Sequence, residues 1–359
     1  MPRLDRIRCL EILAGVLCAG ALAAIQPACS DSSGPDFAVG AGSIGADDMR
    51  GWIAALSHDS MQGRWTPSPE LDKAAATLAA RFRQLGLVGP FGGEFTQVYP
   101  VIEAGSQPPY PEAPNVAAIV RGSDPALRDE YVLLVAHLDH VGTRALGGWR
   151  CYLVGADSLC NGADDNASGT AAVMEIAEAL TLLRSAPRRS VILLLTSGEE
   201  HGMHGVDYFI ANPPVPISRI VAAVSLDMIS RNAPDSIAAI GLTYTTLGQT
   251  ITAEAEAHPE LGLQVVDDQW PGQNIFYRSD HIRFAAAGVP AMFIFVGGSA
   301  VTHRANDVVE TVDADKAARV ARLAFYMTCA VAGAASRPVW LREPDPQTPG
   351  VATEAAFPM

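Results

Sequence analysis

Runs of apolar residues alternate with amphipathic segments along most of this chain, in the order typical of an α/β protein. Apolar runs predict largely buried strands, some of them parallel, at residues 116–120, 131–136, 191–196, 220–226, 236–240 and 291–296. Helical spacing predicts helices between or after them, at residues 168–183, 205–210, 246–257 and 314–334. The pattern therefore predicts an α/β sandwich whose site lies at the carboxyl ends of the strands.

The residues before the first strand have a different pattern. Helical spacing at residues 47–56 and 71–85, with Gly86 as a stop signal, predicts a small N-terminal helical subregion. We divide the chain into an export signal at 1–29, a flexible tether at 30–45, this helical subregion at 46–114, a catalytic domain at 115–335 and a tail at 336–359.

The first 29 residues have the pattern of an export signal. Three arginines precede an apolar run at residues 12–25, which is too short to span a bilayer comfortably. Cys29 resembles a lipoprotein cleavage site, although the residues before it fit that pattern poorly, so lipidation and ordinary cleavage both stay open. Either alternative predicts an exported protein that is periplasmic, an outer-membrane lipoprotein or secreted. Membrane contact is expected only through a lipid anchor on Cys29.

Composition narrows the classes of function. With 359 residues, 49% of them hydrophobic, the chain can bury a large core. The formal charge of −14 argues against a nucleic-acid partner, because phosphate binding needs a basic face.

Two cysteines lie close together in the sequence. Cys151 and Cys160 flank a short segment, and in an exported protein such a pair predicts a loop disulfide. Two free thiols are the alternative. Zinc-binding thiolates are disfavoured because the chain has no C-x-x-C spacing.

Polar residues follow several of the predicted strands. His137 and Asp139 come at the end of one strand, and period-two alternation points both side chains the same way. Asp139 can then hold the far ring nitrogen of His137, as a carboxylate does behind a metal-binding histidine. A solvent-exposed strand end would explain one polar residue but not the pair.

A Gly-flanked loop at residues 161–169 contains the adjacent acids Asp164 and Asp165. Asp, Asn and Ser favour the N-cap of a helix, which explains one of these residues without a metal. Capping does not explain two adjacent acids. We therefore expect a carboxylate in this loop that bridges two cations.

Glu199 and Glu200 follow a very apolar strand. Adjacent glutamates are often a solvated surface pair, which is the alternative here. Consecutive acids at the end of a buried strand are costly unless a cation or a proton lies between them. One glutamate that binds metal and one that moves a proton would remove this cost. Asp227 lies at another strand end in the same way.

One further histidine is a candidate ligand, and the alternative is an ordinary surface residue. His303 lies in a Gly-rich loop after the last strong strand. The residues alone do not choose between it and the competing histidines, which are His140, His201, His204 and His281.

The motifs AHLDH, GADDNASG, TSGEEHG, SLDMIS, RSDHIRFAAAGVPA and THRAND occur in that order. This set resembles the exported bacterial type of the co-catalytic zinc aminopeptidase family, metallopeptidase family twenty-eight. That family also contains glutamate carboxypeptidases and glutaminyl cyclases. The resemblance covers residues 47–334 and includes the loop DSMQGR at 59–64. It implies a three-layer α/β/α sandwich with a mixed central sheet, of the phosphorylase/hydrolase-like type.

The resemblance also implies a role for each motif residue. It assigns two Zn²⁺ ions, or two other divalent metal ions, to each chain. Asp165 would bridge the two ions, and the peptide bond after it would be cis. The five ligands implied are His137, Asp165, Glu200, Asp227 and His303. Glu199 becomes the general base and Asp139 the partner of His137. Asp280 and His281 are implied to line the substrate pocket, and Tyr277 to help stabilise the oxyanion.

The reaction implied is hydrolysis of N-terminal residues from peptides, by an exported aminopeptidase. A carboxypeptidase is the alternative, in which an arginine such as Arg144, Arg150 or Arg278 would bind the terminal carboxylate. A glutaminyl cyclase is a third reading, disfavoured because that branch works with one metal. A non-catalytic binding domain is disfavoured because the ligands and the base are all present.

Overall fold

The computed structural model describes residues 35–101, 112–146 and 150–342. Its centre is an eight-stranded sheet with the strand order β1-β2-β4-β3-β5-β8-β6-β7. The strands are β1 (Thr96–Pro100), β2 (Glu112–Val120), β3 (Tyr131–His137), β4 (Ser190–Thr196), β5 (Ile220–Leu226), β6 (Ser236–Ile240), β7 (Gln264–Val266) and β8 (Ala291–Phe295).

Four neighbouring strands of this sheet run parallel. β3 pairs with β4 on one side and with β5 on the other, and β5 pairs with β8, all in parallel. The strands β1, β2 and β6 run antiparallel to their neighbours towards this block. The predicted α/β class with a mixed central sheet is confirmed.

The helices pack on both faces of the sheet. Along β3, Leu134 belongs to a core cluster shared with α4 (Gly169–Thr181) and α8 (Ala314–Gly333). Its neighbour Leu133 points the other way, into a cluster shared with α5 (His204–Ala211) and α7 (His281–Ala286). This double burial explains why the central strands are continuous apolar runs without alternation. The three-layer arrangement itself stays a prediction.

The other helices are α1 (Pro35–Ser43), α2 (Ala46–Leu56), α3 (Pro69–Gln84) and α6 (Leu247–Ala257). The apolar pattern predicts every helix and strand except α1, α7, β1 and β7. Edge strand β1 alternates buried and exposed residues and ends in a proline, and β7 has three residues, so neither gives an apolar run.

The predicted flexible tether at 30–45 differs from the structure, which forms α1 over part of it. Its small residues let it lie directly on the core. A Cβ added to Gly40 would be 2.7 Å from the Phe325 ring, and Ala41 and Ile44 are buried. A Gly- and Ala-rich segment is therefore packed here because close approach to α8 needs small side chains.

The predicted boundary between residues 114 and 115 falls inside β2, and β1 pairs with β2 in the central sheet. The region at 46–114 is therefore not separated from the sheet. The start of the predicted tail is hydrogen-bonded to the catalytic region, because the backbone N–H of Thr246 donates to the carbonyl of Val339. Residues 343–359 of that tail lie outside the described residues.

The predicted export signal, with Cys29, also lies outside the described residues. In the part of the chain that the structure describes, no helix has both the length and the apolar character needed to cross a membrane.

Candidate metal centre

The predicted ligands follow the four parallel strands at the centre of the sheet. His137 is the last residue of β3, Asp227 comes directly after β5, Glu200 follows β4, and His303 lies in the loop after β8. Parallel neighbours present their carboxyl ends at one edge, so side chains far apart in sequence meet there.

One group of candidate ligands joins His137, Asp165 and Asp227. The Nε2 atom of His137 lies 3.5 Å from Oδ1 of Asp165 and 3.4 Å from Oδ1 of Asp227. All three side chains are buried, and Oδ1 of Asp227 has no hydrogen-bond partner among the described residues. An ionised oxygen in that position is costly unless a cation compensates it.

A second group shares Asp165 and adds Glu200, His303 and His140. The Nε2 atom of His303 lies 3.1 Å from Oδ2 of Asp165 and 3.1 Å from Oε2 of Glu200. Asp165 thus presents one carboxylate oxygen to each group, as its predicted bridging role requires.

His140 is the residue that the sequence left undecided. Its Nδ1 atom lies 2.9 Å from Oε1 of Glu200, and its ring stacks edge to face with that of His303. Its Nε2 atom is buried without a hydrogen-bond partner in the described ranges. In the sequence, only its position directly after Asp139 pointed to a place near the metal ligands. Residue spacing does not reveal that the chain turns after Asp139 and brings His140 next to Glu200.

The loop that carries Asp165 is tightly packed. The Asp165–Asn166 peptide bond is cis, as the resemblance implies. Gly162 has a φ of 64°, and a Cβ at this position would lie 2.3 Å from the carbonyl oxygen of Asp165 and 2.4 Å from the ring of His140. Only glycine avoids both the strained backbone and these contacts.

Asp139 lies behind His137, as the strand alternation predicts. The Nδ1 atom of His137 is 3.2 Å from the carbonyl oxygen of Asp139 and 3.6 Å from its Oδ1 atom. Oδ1 of Asp139 also accepts a hydrogen bond from the backbone N–H of Glu199, at 3.4 Å. Asp139 therefore connects the predicted ligand His137 with the predicted base Glu199.

The two glutamates have opposite electrostatic environments. Burial raises the pKa of Glu199 well above its ordinary value, against the opposing charge of His137. Burial would also raise the pKa of Glu200, but the charge of His303 and a hydrogen bond from His140 hold it well below its usual range. One glutamate thus favours a proton and its neighbour stays ionised, which is the division expected of a base beside a ligand.

His137 and His303 also respond to the surrounding carboxylates. Burial alone would lower both pKa values, yet the charge of Asp227 raises that of His137 and the charge of Glu200 raises that of His303. Concentrated negative charge of this kind favours any cation at the site.

Arg64, in the DSMQGR loop, binds the main chain of the segments that carry the ligands. Its buried guanidinium donates to the carbonyl oxygens of Leu138, Asn161 and Gly162, at 2.7 to 2.9 Å, and to that of Leu56. Burial lowers its pKa to about 10, so the side chain stays charged at neutral pH. The family resemblance included this loop, but it did not identify these hydrogen bonds of Arg64.

The predicted disulfide borders the site. Cys151 and Cys160 are joined, with sulfurs 2.07 Å apart. Within their loop, Tyr152 exchanges backbone hydrogen bonds with the His303 loop, donating to the carbonyl of His303 at 2.8 Å and accepting from Ala305 at 3.1 Å.

The remaining predicted residues lie beside the two groups. Asp280 is fully buried, accepts a hydrogen bond from Thr196 at 2.5 Å, and burial raises its pKa to about 7. His281 is fully buried between Phe276 and Phe293, and burial lowers its pKa to about 3. Tyr277 packs edge to face against Phe276. Their roles in substrate binding stay predictions.

Of the other competing histidines, neither His201 nor His204 belongs to a ligand group of the described residues. His201 packs against the Trp65 ring with centroids 4.0 Å apart, and His204 begins α5.

The donor set fits zinc. Imidazole nitrogens and carboxylate oxygens are ligands that zinc accepts, and each group supplies at least three. The unpaired Oδ1 of Asp227 is the clearest local sign that a cation belongs here.

The chain has relatives among proteases. A probable zinc metalloprotease of Leptosphaeria maculans is 26% identical over 216 residues, which make up 52% of this chain and 47% of that protein. The chain therefore spans about half the length of this relative.

Solved structures share the fold. The LapA aminopeptidase of Legionella pneumophila matches with a TM-score of 0.61 at 17% identity, over 82% of this chain and 74% of that chain. A Bacteroides thetaiotaomicron glutaminyl cyclase bound to N-acetylhistamine matches with a TM-score of 0.61 at 16% identity, over 79% and 97% of the two chains. At such identities the likeness establishes the fold alone.

The sequence profile of Peptidase family M28 matches residues 115–328, which is more than half of the chain and includes every predicted ligand. The chain therefore belongs to peptidase family M28, a family of zinc metallopeptidases.

Proposed function

We propose that this protein is an exopeptidase that removes N-terminal residues from peptides, with two divalent metal ions at the site. The observation that carries the proposal is the position of Asp165, whose two carboxylate oxygens face separate ligand groups. His137 and Asp227 would hold one ion, Glu200 and His303 the other, and Asp165 both. When bound, such ions polarise a carbonyl group and lower the pKa of water.

The chain's own residues supply the proton chemistry. Glu199 lies beside the ligands, and its raised pKa suits a carboxylate that takes a proton from water and passes it to the departing amine. The hydrogen bond from its backbone N–H to Asp139 fixes Glu199 relative to His137. These two residues support the reaction without binding metal.

An aminopeptidase is favoured over a carboxypeptidase by the contacts of the arginines. Arg150 donates to the carbonyl oxygen of Glu200, and Arg144 donates to that of Cys151 at 3.3 Å. These two guanidinium groups are thus engaged with the main chain, whereas a carboxypeptidase needs one directed at its substrate. Of the three arginines named for that role, the half-buried Arg278 is the remaining candidate. The fold shared with LapA aminopeptidase agrees with this choice.

A glutaminyl cyclase has the same fold, and the cyclase structure makes it the second candidate. Two ligand groups favour the peptidase over a one-metal enzyme. We also propose an exported location, which the Cys151–Cys160 disulfide supports because such bonds persist outside the reducing cytosol.

Product analysis by mass spectrometry tests the reaction. A peptide with a free N-terminus should lose residues from that end, and its N-acetylated form should stay intact. Loss of residues from the carboxyl end would establish a carboxypeptidase. Loss of ammonia from an N-terminal glutamine without shortening would establish a cyclase.

A further inference from the structure

Asp307 belongs to the THRAND motif, but neither the resemblance nor the ligand groups give it a role. It is 1% exposed, and an acid buried to that degree needs partners for its carboxylate oxygens. Its carboxylate accepts a hydrogen bond from the backbone N–H of Asp164 at 3.0 Å and one from that of Asp165 at 3.2 Å. Each oxygen therefore holds one of two consecutive N–H groups.

These two bonds fix the direction of the bridging side chain. Two consecutive N–H groups bonded to one carboxylate orient the peptide plane between Asp164 and Asp165. The carbonyl oxygen of Asp307 accepts a third bond from the N–H of Ala163 at 3.2 Å. The Cα–Cβ bond of Asp165, and with it the carboxylate, is thereby aimed at both ligand groups.

Arg231 completes a buried cluster with Asp164 and Asp307, which we name the carboxylate clamp. Its Nη2 atom donates to Oδ1 of Asp307, and its Nε atom lies 3.5 Å from Oδ2 of Asp164. Ser230 donates to Oδ1 of Asp164 from both its N–H and its hydroxyl group, at 2.9 and 2.5 Å.

The clamp joins three ligand-bearing segments. Asp164 adjoins Asp165, Arg231 follows closely after Asp227, and Asp307 lies in the same loop as His303. Tertiary support of this kind behind metal ligands is typically worth 10- to 100-fold in metal affinity.

We propose that Asp307 is a positioning residue for Asp165 and thereby controls the affinity of both metal ions together. This inference rests on the proposed metal centre. A displaced bridging carboxylate weakens both sites, whereas loss of His303 or His137 weakens one site more than the other.

The test is titration of the metal-free protein with Co²⁺, followed by visible absorption, with electron paramagnetic resonance to report magnetic coupling between the two ions. In Asp307→Asn, the amide oxygen can still accept from one of the two backbone N–H groups of Asp164 and Asp165. The amide NH₂ group then faces the other N–H group, so two donors oppose each other. We expect both Co²⁺ affinities to fall roughly 10- to 100-fold, and the coupling to change.

Two controls separate positioning from charge and from stability. Asp164→Asn removes one negative charge from the same clamp but keeps Oδ1 as an acceptor for Ser230, so a smaller loss is expected. Ser68→Ala removes the N-cap of α3, where Oγ accepts from the backbone N–H of Leu71 at 3.1 Å. It should lower the melting temperature while leaving both Co²⁺ affinities unchanged.

Unchanged Co²⁺ affinities and spectra in folded Asp307→Asn would overturn the inference. An equal loss of Co²⁺ affinity in Asp164→Asn would also overturn it, because the loss would then come from the removed negative charge alone. If Asp307→Asn does not fold, Arg231→Gln leaves the carboxylate but removes its guanidinium partner. Arg231→Gln should lower the affinity for both Co²⁺ ions, by less than is expected for Asp307→Asn. Unchanged affinities in Arg231→Gln would also overturn the inference. A wild-type protein that takes up no Co²⁺ would instead contradict the metal centre itself.

Discussion

The imidazole of His140 lies against Glu200, with Nδ1 2.9 Å from Oε1, while Oε2 of the same carboxylate lies 3.1 Å from Nε2 of His303. Glu200 is thus held between two imidazoles. His140 fixes one oxygen and leaves the other facing the second ligand group.

Replacing His140 should therefore weaken one ion more than the other. His140→Leu removes the partner of Glu200 and should lower affinity for the ion of the second group roughly 10- to 100-fold. His140→Asn keeps an N–H close to the Nδ1 position and should recover part of the loss. Stepwise Co²⁺ titration of the two variants measures this, and equal loss at both sites would argue against the assignment.

Glu199→Ala should separate metal binding from turnover. Glu199 belongs to neither ligand group, so the variant should keep its metal content while the rate falls roughly 10²- to 10⁴-fold. Glu256→Ala, at an exposed glutamate on α6, is the matched control and should keep the wild-type rate. Near-normal turnover in Glu199→Ala would show that another group is the base.

The disulfide should stabilise both the fold and the His303 loop. A double Cys151→Ser, Cys160→Ser variant loses the closure of a short loop, worth about 2–3 kcal/mol in the free energy of unfolding. Because Tyr152 bonds to the carbonyl of His303, the second metal ion should also bind more weakly. Denaturant unfolding and metal titration measure the two effects.

Tris(2-carboxyethyl)phosphine, a reductant without the metal-chelating thiols of dithiothreitol, provides the control for that variant. It should reproduce both changes in the wild type and cause none in the double variant, since Cys329, the remaining cysteine among the described residues, is a free thiol. A reductant effect in the variant would place the cause elsewhere.

Glu175 should give the stability a pH dependence unrelated to the metal centre. Burial, with the charges of Asp48 and Glu178, raises its pKa from 4.5 to about 7. A raised pKa in the folded state means that its stabilising contribution is complete below pH 4.5 and is lost as the pH rises through about 7. Trp52 donates to its Oε1 atom at 3.1 Å, which a glutamine can also accept.

Glu175→Gln should therefore match the wild type near pH 4.5 and be more stable at pH 8. The full shift corresponds to roughly 3 kcal/mol, and we expect about 2 kcal/mol because an open cavity of about 480 Å³ adjoins the carboxyl group. Denaturant unfolding at the two pH values measures the difference. An equal difference at both would contradict the titration of Glu175.

The sequence predicted the central strands because residues such as Leu133 and Leu134 are buried on opposite faces and leave a continuous apolar run. It placed Asp227 and Glu200 at strand ends for the same reason. The resemblance was needed to choose His303, because a loop histidine has no periodicity to place it.

Other features depend on contacts between distant segments. Asp307 acts through the backbone N–H groups of Asp164 and Asp165, and a bond to a main chain has no pattern in the side chains. Helix α1 was missed because its glycines look flexible in sequence, yet Gly40 is what allows close contact with Phe325. Long-range packing of this kind overrides local propensity.

Titration of the metal-free protein with Zn²⁺, while hydrolysis of an aminoacyl p-nitroanilide is followed, tests whether bound metal ions are required for aminopeptidase activity. We expect the rate to rise as about two ions bind per chain, and a chelator to abolish it. A protein that binds no zinc, or that hydrolyses the substrate equally well without it, would not be a metal-dependent aminopeptidase.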